Sequence, residues 1–204
     1  MFQENCYVVS DETMEAVIVD CGALFPAECD AIAKYVKENQ LTVKRLIATH
    51  GHLDHNFGDA FVWREYGVKV ELHGGDEHPV TDLSRQAKDF FGFDYPVENP
   101  IVGGFFSGED TVKFGSHEFE IIHTPGHSKG SVLYYCKEEN VVFSGDTLFQ
   151  GSMGRTDLPG GSPKQMEESL KKIADLLPNE VVVYPGHGRQ TTMEMEKRYN
   201  PYLR

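Results

Sequence analysis

The chain has 204 residues, enough to bury a sizeable core in one domain, and its hydrophobic content of 40% and charged content of 25% are ordinary for a globular protein. A formal charge of −13 argues against sequence-independent nucleic-acid binding, which needs clustered Lys and Arg, although bound cations would offset part of that charge. No apolar run nears the roughly 20 residues of a membrane span, the start MFQENCYVVS lacks the features of a signal peptide, and Cys6, Cys21, Cys29 and Cys136 show no CxxC spacing; free thiols in a reducing compartment, hence the cytoplasm, are expected.

ENCYVVS and EAVIVDCG are short β-rich runs joined by the turn-like DET, and they predict a hairpin. PAECDAIAKYVKENQ follows as a helix, with Pro26 in its first turn and Ile32, Ala33 and Val36 at helical spacing. VKRLIATH reads as a strand, NFGDAFVWREYG as a helix closed by Gly67, and VKVELH as another strand. From Gly74 to Asp110 the pattern is less regular: a helix around DLSRQAKDFFG, then a Pro- and Gly-containing loop of a length usually tied to function. Its phenylalanines, Phe90, Phe91, Phe93, Phe105 and Phe106, suit either a substrate pocket or a cover for the core. TVKFGSHEFEIIHTPGH and SVLYYCKEENVVFSGD give four strands in two hairpins. SPKQMEESLKKIADLLP is an amphipathic helix with Ser162 as N-cap, Pro163 at N1 and Met166, Leu170, Ile173 and Leu177 as its apolar stripe. EVVVYPGHG gives a last strand and loop, and TTMEMEKRYNPYLR a terminal helix. The alternation fits an α/β fold in one domain over 1–204. A four-layer sandwich suits it, and a doubly wound parallel sheet competes.

Metal-ligand residue types gather at strand ends. His50, His52, Asp54 and His55 follow RLIAT, His127 follows EIIHTPG, Asp146 follows NVVFSG, and His187 follows VVVYPG. Strand ends are rigid, and loops beyond them are where sites are built. Imidazole and carboxylate suit zinc, iron or manganese. Seven such groups are too many for one tetrahedral ion but suit two ions sharing a carboxylate, roughly 3.5–4 Å apart, able to clamp a hydroxide and a substrate oxygen.

THGHLDH resembles the HxHxDH signature of the metallo-β-lactamase fold, and HTPGHSKGS, SGDTLFQGSMGRTD and YPGHG follow in that family's order. Within the superfamily these motifs are most similar to hydroxyacylglutathione hydrolase (glyoxalase II) and its short bacterial relatives. The resemblance implies an αββα sandwich and two divalent metal ions, with zinc the first choice. It implies that His50, His52 and His127 hold the first ion, that Asp54, His55 and His187 hold the second, and that Asp146 bridges them. Asp54 would also orient a metal-bound hydroxide that attacks the carbonyl of a small-molecule thioester, such as an S-acylglutathione, or an ester. Full-length glyoxalase II adds a C-terminal helical domain carrying much of its glutathione site, whereas about seventeen residues follow His187 here. Arg155 falls where the family has a basic residue contacting glutathione, but TD follows in place of an aromatic pair, so an ion pair with Asp157 is the competing role. His73, His78, His117 and His123 match no ligand position; His117 is expected to be exposed, and His123 to be an ordinary hydrogen-bonded histidine or a partner to a ligand. The alternative activity implied is that of a persulfide (sulfur) dioxygenase of the same fold, which shares the GRTD segment and uses one iron, here on His50, His127 and Asp146.

Overall fold

The computed structural model describes residues 3–108 and 110–203. The chain opens with the hairpin β1 (Tyr7–Ser10) and β2 (Glu15–Val19), followed by α1 (Pro26–Glu38), β3 (Thr42–Ile47), α2 (Asp59–Tyr66) and β4 (Val70–His73). After α3 (Glu77–Val80) and α4 (Leu83–Phe91), β5 (Val102–Phe106) completes a five-stranded sheet in the order β1-β2-β3-β4-β5. Then come β6 (Thr111–Phe114), β7 (His117–His123), β8 (Val132–Cys136), β9 (Val141–Gly145), the small hairpin β10 (Leu148–Phe149) and β11 (Ser152–Met153), α5 (Pro163–Leu176), β12 (Val182–Pro185), β13 (Thr191–Thr192) and α6 (Met193–Tyr199). The second sheet runs β13-β12-β9-β8-β7-β6.

Alternation along the central strands creates the layers. In β2, Val17 and Val19 turn inward onto Phe119, Ile121, Tyr134 and Phe143 of the second sheet, while Ile18 turns outward. Ile18, Leu46, Val70 and Leu72 pack with Val36 of α1 and Val62 of α2. On the far side Leu133, Tyr135, Val142 and Val183 meet Met166, Leu170, Ile173 and Leu177, the whole apolar stripe of the α5 region. Helix, sheet, sheet and helix therefore stack in that order. This excludes the doubly wound alternative: two sheets face each other instead of one sheet carrying helices on both faces.

The local signals act as their chemistry predicts. Ser162 caps α5 by accepting from Gln165 N, with Pro163 next in line. Glu28 folds back onto the amides of Leu24 and Phe25 at the start of α1. Gly67 ends α2 in the left-handed region. In the irregular stretch the structure adds a strand: Phe105 and Phe106 lie on β5, whose VGGFF sequence pairs in parallel with β4. Phe91 joins Leu53, Leu83 and Ala87 in a small cluster over the first ligand loop, whereas Phe90 and Phe93 are exposed. The four cysteines are unpaired, and among the described residues no helix is long and apolar enough to cross a membrane.

Candidate metal centre

Four strand ends converge at one edge of the sandwich. β3 delivers Thr49 to His55, β7 leads to His127, β9 ends at Asp146, and β12 leads to His187. β9 and β12 are parallel neighbours, and Gly186 N donates to Gly145 O at 2.8 Å, which sets Asp146 beside His187. The two sheets are joined close by: Val132 N donates to Thr49 O at 2.9 Å and the Tyr134 hydroxyl to Ala48 O at 2.8 Å. Only glycine fits at 186, since a side chain there would collide with the Asp146 carboxylate and the His55 ring.

All seven residues singled out in the sequence meet there. His50, His52 and His127 form one group able to hold an ion, with His52 Nδ1 2.8 Å from His127 Nε2. Asp54, His55 and His187 form another, with His55 Nε2 3.3 Å from His187 Nε2 and His187 Nε2 3.3 Å from Asp54 Oδ2. Asp146 faces both: its Oδ2 is 3.5 Å from His127 Nε2 and 3.6 Å from His187 Nε2, and its Oδ1 is 3.4 Å from His55 Nε2.

The outer ring nitrogens settle which inner atoms carry lone pairs. His127 Nδ1 lies 2.7 Å from the Arg155 carbonyl, which can only accept, so Nδ1 carries the proton and Nε2 is bare in the neutral ring. The Thr49 hydroxyl donates to Asp20 Oδ2 at 2.8 Å and lies 3.1 Å from His50 Nδ1; its proton is already used, so His50 Nδ1 donates to it. His50 Nε2 is then a buried lone pair with no partner. His55 Nδ1 donates to the same Asp20 oxygen at 3.0 Å. One buried carboxylate thus orients a histidine from each group. A pocket lined by inward lone pairs and carboxylates, including an orphaned imidazole nitrogen, fits bound cations.

Electrostatics point the same way. Burial, reinforced by the neighbouring histidines, lowers His50 well below the usual histidine range and takes His52 to about 4. Burial would raise Asp54, but the His187 hydrogen bond and the nearby His55 outweigh it and hold the carboxyl at about 2. Asp146 is likewise lowered, burial losing to His55 and then His127. For His55 and His187, burial is overcome by the surrounding carboxylates, which raise both. The site is therefore rich in anionic oxygen and in imidazole nitrogen, with His50 and His52 held neutral, the donor chemistry of a divalent transition-metal centre.

The family model of the metallo-beta-lactamase superfamily matches residues 1–187. The chain belongs to the metallo-β-lactamase superfamily. It is 33% identical to hydroxyacylglutathione hydrolase GloC of Haemophilus influenzae, across 99% of this chain and 93% of that protein. Among solved structures, the B3 metallo-β-lactamase BLEG-1 superposes with a TM-score of 0.89 at 36% identity, covering 99% of this chain and 95% of the other. TTHA1623 in a di-iron-bound form gives 0.86 at 34%, covering 99% and 96%. ETHE1 from Myxococcus xanthus gives 0.78 at 27%, covering 98% and 79%. Membership in this superfamily implies divalent metal ions and makes the chain an enzyme of metallo-hydrolase type.

Around this superfamily centre lie residues that the sequence did not single out. Asp20 and Thr49 are described above. Asp76, buried in the stretch read as irregular, accepts from Gly51 N, Ser128 Oγ and Gly130 N at 2.9, 2.6 and 2.8 Å, tying the His50 loop to the His127 loop. Gln86 of α4 grips the first loop through Gly51 O and Leu53 N. Glu4 is half-buried beside Asp20 and His55, and desolvation of its carboxyl, against the pull of His55, pushes it up to about 10. Asp20 carried a sequence signal, a carboxylate at a strand end before Gly22, shared with Asp146 after Gly145.

Arg155 enters the site through its backbone. Its side chain lies on Asp157 with two contacts of 2.7 Å, the ion-pair alternative, and is exposed. His123 donates to Lys129 O and stacks on His73 at 4.1 Å, outside both groups. His117 is not exposed as expected: Asp11 and Glu139 hold its two ring nitrogens, and only 18% of its side chain is accessible.

Proposed function

We propose that this chain is a dinuclear metallohydrolase that cleaves a small-molecule thioester such as an S-acylglutathione. The observation that carries the reading is the pair of ligand groups with Asp146 facing both. His50, His52 and His127 would hold one ion, Asp54, His55 and His187 the other, and Asp146 would bridge them, all within a single domain. Two such ions, zinc by preference with iron or manganese acceptable to the same donors, would supply a nucleophilic hydroxide near neutral pH and polarise a carbonyl. Asp54, held ionised, would accept a hydrogen bond from the attacking oxygen and so orient it. The Arg155 carbonyl and Asp20 keep the imidazole lone pairs aimed inward through the cycle. The likeness to the Haemophilus influenzae hydrolase supports the thioester as substrate. The four unpaired cysteines suit a reducing compartment, the cytoplasm.

The likeness to ETHE1 favours a second reading, a persulfide dioxygenase with one iron on His50, His127 and Asp146. The complete group of Asp54, His55 and His187 weighs towards two ions. Metal content of protein purified without added metal, measured beside S-lactoylglutathione hydrolysis and oxygen uptake with glutathione persulfide, tests both. Two ions per chain with thioester turnover is the expected result. One iron with oxygen uptake replaces the first reading by the second.

A further inference from the structure

His187 differs from His50, His55 and His127 in how it is held. His50, His55 and His127 each have an oxygen acceptor on the outer ring nitrogen, from Thr49, Asp20 and the Arg155 carbonyl. Among the described residues His187 shows no such acceptor, and its side chain is 26% accessible against 0% for His55 and 3% for His127. Its ring is contacted by Asp54 on the inner nitrogen and by Phe149 edge-on at 6.2 Å, and its remaining support comes from its backbone.

That backbone is gripped by a segment from the other sheet. Asn5 N donates to Gly186 O at 2.8 Å. The Asn5 side-chain amide donates to Pro185 O at 3.0 Å and to Gly188 O at 2.9 Å, so one NH₂ group spans the two residues flanking the Gly186–His187 pair. The Tyr7 hydroxyl adds a 2.7 Å bond to Pro185 O, and Glu4 forms an antiparallel bridge with His187 itself. The carbonyls at 185, 186 and 188 are thus all satisfied by residues some 180 positions away in sequence. Gly188 turns the chain at φ +80°, and Gly186 N adds a bond to Gly145 O on the neighbouring strand.

We propose that Asn5, assisted by Tyr7, is a positioning residue for His187, and that the clamp these two residues form sets the affinity of the second metal site without affecting the first. This rests on the two-metal reading above. The selectivity follows from the contacts: Asn5 and Tyr7 touch only the backbone of the His187 loop, while the first group depends on Thr49, Asp20, the Arg155 carbonyl and Asp76.

The test is calorimetric titration of the metal-stripped full chain with Zn²⁺, for wild type, Asn5→Ala, Asn5→Asp, Tyr7→Phe, His187→Ala and the Asn5→Ala/His187→Ala double variant. In wild type two binding events are expected. Asn5→Ala should weaken the second by roughly 10- to 100-fold, the usual effect of removing a group that orients a ligand, and leave the first unchanged. Asn5→Asp, which keeps the shape but turns an oxygen onto two carbonyls, should do the same or worse, and Tyr7→Phe less. The double variant should lose no more second-site affinity than His187→Ala alone. If wild type binds one ion only, the two-metal reading fails and takes this proposal with it. If wild type binds two and Asn5→Ala binds both as tightly, the proposal is overturned with that reading intact. Equal weakening of both sites, with a matching fall in thermal stability, also overturns it, because the clamp would then be a general brace.

Discussion

Thr49→Val isolates the hydrogen-bond relay behind the first ligand group. Thr49 is 1% exposed at the end of β3, and valine fills nearly the same volume, so packing is preserved. What is lost is the hydroxyl that donates to Asp20 and takes the His50 Nδ1 proton at 3.1 Å. Asp20 keeps the Thr49 amide and His55, so it stays paired. His50 is left with a buried donor and no acceptor, a cost of about 1–3 kcal/mol. It can escape that cost by moving its proton to Nε2, which removes the inward lone pair. Either way metal affinity at His50, His52 and His127 should fall, by roughly 5- to 150-fold at about 1.4 kcal/mol per decade. Calorimetric Zn²⁺ titration of the stripped variant reads this directly. Thr49→Ser serves as the control, since it keeps the hydroxyl and sacrifices one methyl group, worth about 1 kcal/mol of stability. The reasoning is refuted if Thr49→Val binds metal as tightly as wild type, or if Thr49→Ser loses as much affinity as Thr49→Val.

Arg155→Ala should leave metal content and melting temperature essentially unchanged, because its ion pair with Asp157 is exposed and His127 is held by the residue 155 carbonyl, which alanine retains; loss of metal on elemental analysis would contradict this. His117 is raised above the ordinary histidine value by its hydrogen bonds to Glu139 and then Asp11. Its charge therefore stabilises the fold below the unfolded value near 6.5, and that contribution disappears as pH rises through the higher folded value. Melting curves of wild type and His117→Ala should accordingly differ most near about pH 6 and converge in part towards about pH 9; a gap that widens with pH would reverse the sign. Leu170→Ala, at a position 1% exposed between α5 and the second sheet, should cost about 2–5 kcal/mol in urea unfolding; a cost under about 1 kcal/mol would mean that the stripe does not seal that layer.

What the sequence discloses and what it hides differ in physical kind. The ligand loops were legible because coordination needs particular residue types, and THGHLDH, TPGH, SGD and PGHG set those types within a few positions of a strand end. α5 was legible because its cap, its proline and its stripe are all local. β5 was not: VGGFF contains two glycines and only partial burial, and it becomes a strand because β4 offers an edge about thirty residues away, a tertiary cause with no local mark.

The orienting residues were hidden for a different reason. The outer nitrogen of a ligating histidine needs only an oxygen that accepts. Here that oxygen comes from a threonine hydroxyl for His50, an aspartate for His55, and the main chain of Arg155 for His127, while for His187 the task passes to an asparagine that grips the loop instead of the ring. Four solutions to one requirement leave no shared residue type to find. Apart from Thr49, which adjoins His50 in sequence, they become visible only when the sheets bring residues 5, 20 and 155 against loops far away in the chain. It follows that substituting the orienters should yield graded losses of metal affinity, since another oxygen or a water can partly replace each, whereas substituting a ligand removes a donor that nothing nearby can supply.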